Sequence, residues 1–255
     1  GMLIPLIMPP TVPLWMLAVA TFFGIVIGKE IFGGTGFNIF NPALTARAFI
    51  FFAYPTTMSG DKVWAIRDID SVSRATPLLK VAAGTGDNPI SLLESYSWWD
   101  MFVGFIPGSI GETSTLCCLL GAAFLLITGI ASWRTMAGVM IGMLSMTFAM
   151  NQFGQLIGSN NPMLFIPPHY HLVMGGFAFG MVYMATDPVS SAHTKKGMWY
   201  YGILIGLMCV LIRAINPAYP EGMMLAILFA NAFAPLFDYY ALEANVKRRK
   251  ARYGK

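Results

Sequence analysis

Seven apolar stretches, at about 13–28, 41–56, 114–131, 136–153, 169–186, 198–213 and 222–238, are long enough or nearly long enough to cross a lipid bilayer. That recurrence leaves few folds open. Backbone inside hydrocarbon has no water to bond to, so it spans as helices or as a closed barrel. Runs of this length read as helices. Several fall short of the roughly 20 residues that a bilayer needs, and Gly and Pro interrupt many, so broken or re-entrant helices are expected among them. The fold class is all-α: a polytopic helical membrane protein with interrupted helices.

Composition agrees. Charged residues make up 11% of the 255 and hydrophobic residues 56%, with mean hydropathy +0.63, whereas soluble domains are about a quarter charged. Aromatic residues at 14% exclude disorder. Cys117, Cys118 and Cys209 all sit in apolar runs and make neither a disulfide framework nor a metal site. The net charge of +4 comes from the tail, and no basic stripe points to nucleic acid. Gly1 is not an initiator and the chain opens inside an apolar run, so a preceding amino-terminal part is expected.

The 28 charged residues are grouped: eleven lie between Ser59 and Thr113 and eight between Asp238 and Lys255. The positive-inside rule places the tail with Lys247, Arg248, Arg249, Lys250, Arg252 and Lys255 in the cytoplasm. Counting back puts Lys195 and Lys196, Arg134 and Lys29 on the same side. Loops 154–168 and 214–221, which carry no Lys or Arg, fall on the other. The expected organisation is transmembrane helices over 1–58, an outer loop over 59–113, a helical bundle over 114–238 and a basic cytoplasmic tail over 239–255. Phe40-Asn41-Pro42-Ala43 and Ile215-Asn216-Pro217-Ala218 each follow one helix and open another, and this topology runs the two pairs in opposite directions. An inverted repeat of that kind is a transporter-like architecture; Asn-Pro as a simple turn starter explains the motif equally well.

Within the outer loop stands Asp70-Ser71-Val72-Ser73-Arg74-Ala75-Thr76-Pro77. As local structure it is a turn followed by a helix opening at Pro77 with Thr76 as its cap. A helix start also welcomes phosphate, through free N–H groups and the dipole. The spacing Asp-x-x-Ser-x-Ala-Thr is similar to the signal at which flavin transferases attach FMN to a threonine hydroxyl. Further stretches are Gly28-Lys29-Glu30-Ile31-Phe32-Gly33-Gly34-Thr35-Gly36, Asn41-Pro42-Ala43-Leu44-Thr45-Ala46-Arg47-Ala48-Phe49, Gly108-Ser109-Ile110-Gly111-Glu112-Thr113-Ser114, Met184-Ala185-Thr186-Asp187-Pro188-Val189-Ser190 and Asn216-Pro217-Ala218-Tyr219-Pro220-Glu221-Gly222. In that order they resemble the carboxy-terminal two thirds of the NqrB/RnfD family, and within it the NqrB membrane subunits of the Na+-translocating NADH:quinone reductases.

The resemblance implies a membrane subunit that carries electrons through covalent FMN and a non-covalent riboflavin toward quinone, coupled to Na+ export. The enzyme is complete only with the other subunits (A, C, D, E and F), and a flavin transferase matures it. It implies a bacterial inner-membrane location with the flavin loop on the periplasmic side, and a fold akin to urea-transporter architecture. Thr76 is then the FMN-bearing residue, in a signal comprising Asp70, Ser73, Arg74 and Ala75. Arg74 departs from the pattern, which usually has Gly there; it can pair with the FMN phosphate instead. The rivals are an RnfD-type subunit of a ferredoxin:NAD+ oxidoreductase and a flavin-free solute channel of similar fold.

Other candidates keep two readings each. Ser109-Ile110-Gly111-Glu112 has the spacing of a capping box opening a helix at 113; alternatively Gly108, Ser109, Gly111, Glu112 and Thr113 line the flavin or its phosphate. Gly33-Gly34-Thr35-Gly36 has no preceding strand and no phosphate-loop Lys, so close packing or a broken helix is expected. Asp187 and Asp238 end apolar runs at the cytoplasmic boundary, and are either Na+-pathway carboxylates or interfacial caps. Arg47 faces a cofactor phosphate or an acid, and Arg213 snorkels. His169, His171 and His193 form no ligand set and read as interfacial packing. Tyr96, Trp98 and Trp99 suit an aromatic belt.

Overall fold

Cap residues and prolines set where the helices begin. The computed structural model describes residues 2–58, 76–84, 88–93, 96–216 and 221–253. The helices are α1 (Leu3–Leu6), α2 (Leu14–Val26), α3 (Pro42–Ala53), α4 (Pro55–Met58), α5 (Pro77–Ala83), α6 (Trp98–Val103), α7 (Thr115–Ile127), α8 (Trp133–Ile157), α9 (Pro168–Val173), α10 (Phe177–Phe179), α11 (Lys195–Ile215) and α12 (Met223–Tyr253). No strand occurs among the described residues. Asn41 shows the logic of the starts: its side chain accepts from the Ala43 and Leu44 N–H groups while Pro42 fills the first helical position. Ser114, Ser132 and Thr194 cap α7, α8 and α11 in the same way.

Four helical stretches, Leu14–Phe32, Trp133–Ile157, Lys195–Ile215 and Met223–Arg252, are long and apolar enough to cross a membrane, and α3 and α7 are shorter apolar helices. The run expected at 169–186 is broken. α9 ends at Met174 in extended backbone, and Gly175 takes φ +63°. The chain then re-enters through α10 and a wide π turn, Gly180–Met184. Gly33, Gly34 and Gly36 form a left-handed turn after α2, so the glycine run reverses the chain.

Much of the surface is apolar: Ile127 is 86% exposed, and Phe22, Phe52, Leu120, Phe148 and Leu156 are also open. In water, apolar area on this scale marks an interaction surface; around spanning helices it is the face that meets lipid. Inside, α8 and α11 pack backbone to backbone along Gly138 and Gly142 on one side and Gly202 and Gly206 on the other. A Cβ on Gly206 would lie 2.2 Å from the Val139 carbonyl, and one on Gly142 would lie 2.3 Å from that of Ile203. This is the small-residue seam by which membrane helices gain contact.

A second, smaller core holds Leu78, Val81, Leu93, Met101, Met163, Ile166, Val173 and Met174. It seats α5 on α9 and fixes Thr76 against the bundle. α12, at 31 residues, is about 46 Å long and exceeds the roughly 30 Å hydrocarbon core, so its basic end extends past the apolar part of the bundle.

Candidate cofactor site

Arg47 organises the Thr76 end of the molecule. It lies on α3, nearly fully buried, and its Nη1 donates to Glu112 Oε1 at 2.9 Å while Nη2 donates to Glu221 Oε2 at 2.5 Å. The same guanidinium donates to the Ile7 carbonyl, which also accepts from Ser109 Oγ at 3.1 Å. The Gly111 N–H bonds the Leu6 carbonyl at 2.8 Å. One cation thus ties α3, the end of α1, the 108–112 turn and the start of α12. Such geometry satisfies a buried charge, which is costly when unpaired. Glu112 is pushed up to about 7: burial disfavours its charge first and foremost, Arg47 offsets part of that, and Glu221 adds a smaller like-charge repulsion.

A second guanidinium sits behind the first. Arg213 on α11 is 1% exposed. It donates from Nε to the Glu221 carbonyl at 3.1 Å, from Nη1 to the His171 carbonyl at 3.0 Å and from Nη2 to the Met174 carbonyl at 2.9 Å. Its Nη1 also stands 3.2 Å from His171 Nδ1, which places the ring proton on Nε2. The expectation that Arg213 snorkels is therefore corrected: the broken backbone at 173–176 exposes carbonyls inside the protein, and an arginine satisfies them better than water could. His171 is likewise corrected, being buried against that guanidinium and not at an interface.

Thr76 is the N-cap of α5, its hydroxyl accepting from the Leu79 N–H at 3.3 Å. It lines a narrow cleft with Pro77, Gly108, Ser109, Glu112, Thr113, Gly175 and Glu221. The fold therefore brings together Thr76, Ser109, Glu112 and Thr113, with Arg47 one bond behind. Asp70, Ser73, Arg74 and Ala75 lie outside the described residues. The capping-box reading of 109–112 is corrected: α7 opens at Thr115 with Ser114 as its cap, accepting from Cys117 N–H at 3.2 Å. Ser109 and Glu112 instead reach across to Ile7 and Arg47. Gly111 does not line the cleft; a Cβ there would meet Phe179 at 2.9 Å and Leu6 at 3.0 Å. Glu221 belongs to a matching motif, yet its spacing alone assigns it no role. The signal that could have found it is its status as one of the few acids outside the loop and the tail.

Asp187 and Asp238 lie apart from that cluster. Asp238 on α12 accepts from the His193 and Thr194 N–H groups at 2.8 Å each and from Thr194 Oγ1 at 2.6 Å, so it secures the start of α11, the end remote from Arg213. Asp187 accepts from Ser190 Oγ at 2.6 Å and closes a turn. Both are caps by geometry. Asp238 also lines a largely apolar cavity whose polar side chains include Asn38, Ser190, His193, Thr194 and Asn231. Above it the fully buried Asn231 and Tyr201 meet at 2.6 Å. Among the described residues no group of three His, Cys, Asp or Glu side chains could hold a metal ion.

Residues 1–247 match the NQR2, RnfD, RnfE family model. The chain is 58% identical over 254 residues to a Klebsiella pneumoniae (strain 342) protein named as the Na(+)-translocating NADH-quinone reductase subunit designated B, covering 99% of this chain and 60% of that one. It is 56% identical to proteins of the same name from Yersinia pestis and Neisseria meningitidis serogroup A, covering 99% of this chain and 60% and 61% of theirs. The chain thus spans about 60% of the length of these relatives.

Proposed function

The chain belongs to the NQR2, RnfD, RnfE family, and from that premise we propose that it is the flavin-bearing membrane part of a Na+-pumping NADH:quinone oxidoreductase. Its partners are the other subunits of that complex, and its Thr76 carries FMN through a phosphoester made by a flavin transferase. A riboflavin also belongs to the subunit, quinone is the final acceptor, and Na+ is exported as electrons pass. The membrane is the bacterial inner membrane. Thr76 faces the periplasm and the basic end of α12 faces the cytoplasm, with Arg134, Lys195 and Lys196 at the cytoplasmic helix ends.

The observation that supports the reading is the seat of Thr76. Its hydroxyl stands at the opening of α5, beside Gly108, Ser109 and Thr113, where a phosphate meets small or hydroxylated side chains. The FMN, once attached, supplies the electron-transfer chemistry itself. The chain's own residues position it: the small core beneath α5 fixes Thr76, and Arg47 holds the 108–112 turn beside it. The cleft is narrow, so the bulk of the group extends away from it. Asp187 and Asp238 are the candidate Na+ contacts at the cytoplasmic end.

Intact-mass measurement and in-gel flavin fluorescence, on the chain coexpressed with a flavin transferase, test the assignment. The expected result is one FMN adduct that Thr76→Ala abolishes. An unmodified mass, or fluorescence surviving in the variant, refutes it.

A further inference from the structure

The Thr76 cleft contains two acids and no side-chain cation of its own among the described residues. Glu112 and Glu221 both line it, and both are bound to the one guanidinium of Arg47. Arg213 is turned to backbone carbonyls and the His171 ring. Lys80, on the helix that Thr76 caps, lies over the Tyr96 ring at 4.6 Å. Among the described residues the charges of Arg47, Arg213, Glu112 and Glu221 sum to zero with both acids ionised. A phosphodiester in the cleft adds one negative charge beside these two acids, in surroundings that penalise uncompensated charge.

We propose that Glu112 is a proton-binding residue linked to Thr76: it takes up one proton from the water at that end when a phosphodiester on Thr76 adds a negative charge. This rests on the reading of Thr76 as the flavin-bearing residue. Of the two acids Glu112 is the better placed. Its side chain is 10% exposed against 22% for Glu221. The charged and titratable groups packed around it are Arg47 from α3, Glu221 before α12 and the Cys118 thiol from α7. His171 of α9 and Arg213 of α11 stand behind the Glu221 carbonyl, and Ser109 adds a hydroxyl from the same turn. α10 contributes no ionisable group, and Gly176 before it lies so close that a Cβ there would meet Glu112 Oε1 at 2.6 Å.

Infrared titration of the carboxyl C=O band reads that proton directly, from about pH 5 to about pH 9. It is run on the full chain made without and with the flavin transferase, with intact mass measured on each sample. In the unloaded chain the band should fade near pH 7, and in the loaded chain its midpoint should rise by about one pH unit. Glu112→Gln should remove the band. Glu221→Gln, which removes the like charge beside Glu112, should lower the midpoint and serves as the second variant if the first misfolds. An equal midpoint in a loaded chain of confirmed mass overturns the linkage, and so does a band that survives Glu112→Gln. An unmodified mass overturns the Thr76 reading and the linkage with it; the unloaded titration still accepts or rejects Glu112 as a proton site.

Discussion

Removing Arg47 should damage the fold mainly through what it leaves behind. Arg47→Met keeps the volume of the side chain and deletes the charge, leaving Glu112 and Glu221 facing each other in a site from which water is largely excluded. Breaking a buried pair costs roughly 3–5 kcal/mol. For a chain of this size that is about 10 °C in Tm. The cysteines provide the assay, since Cys118 and Cys209 are buried and Cys117 is exposed. A thiol-reactive fluorogenic dye labels Cys117 at once and the other two on melting.

The loss should also depend on pH with a definite sign. In the variant Glu112 keeps a folded-state pKa raised above the unfolded value near 4.5. The folded protein then binds more protons than the unfolded one, and stability falls as pH rises between those values. The wild type shares this trend through Glu112, whose value reaches about 7. Arg47 lowers the Glu112 value, so without it that value rises further, and the gap between variant and wild type should be wider at about pH 8 than at about pH 5. Arg47→Met combined with Glu112→Gln and Glu221→Gln should recover most of the loss, because no unpaired charge remains. An equal gap at both pH values, or no recovery in the triple variant, refutes the account of Arg47 as the counter-charge of two desolvated acids.

Two further outcomes are expected. Gly206→Ala places a methyl 2.2 Å from the Val139 carbonyl and should force α8 and α11 apart at a cost of about 1–3 kcal/mol, read as a lower Tm in the same dye assay. Asp187→Asn keeps an oxygen for Ser190 and should leave Tm unchanged while weakening the Na+ dependence of turnover in the assembled complex. Unaltered Na+ dependence removes Asp187 from the pathway, whereas Asp238, which secures the start of α11, offers no such clean test.

Local chemistry was legible in the sequence. Spans, helix starts and turn glycines depend on residues within a few positions of each other, so Asn41-Pro42 and Thr76-Pro77 announced their caps, and the apolar runs announced the helices. The 109–112 segment misled for the same reason: its spacing satisfies a capping box, while its side chains were claimed by partners far along the chain. Arg213 at the end of an apolar run looks alike whether it snorkels or pairs; the broken backbone at 173–176, whose carbonyls it binds, decided the matter. By itself the sequence determined the helical membrane class and the cap positions, Thr76 among them. Only the tertiary structure decided that Arg47 meets acids 65 and 174 residues away, because burial, and not spacing, determines which charges must find each other.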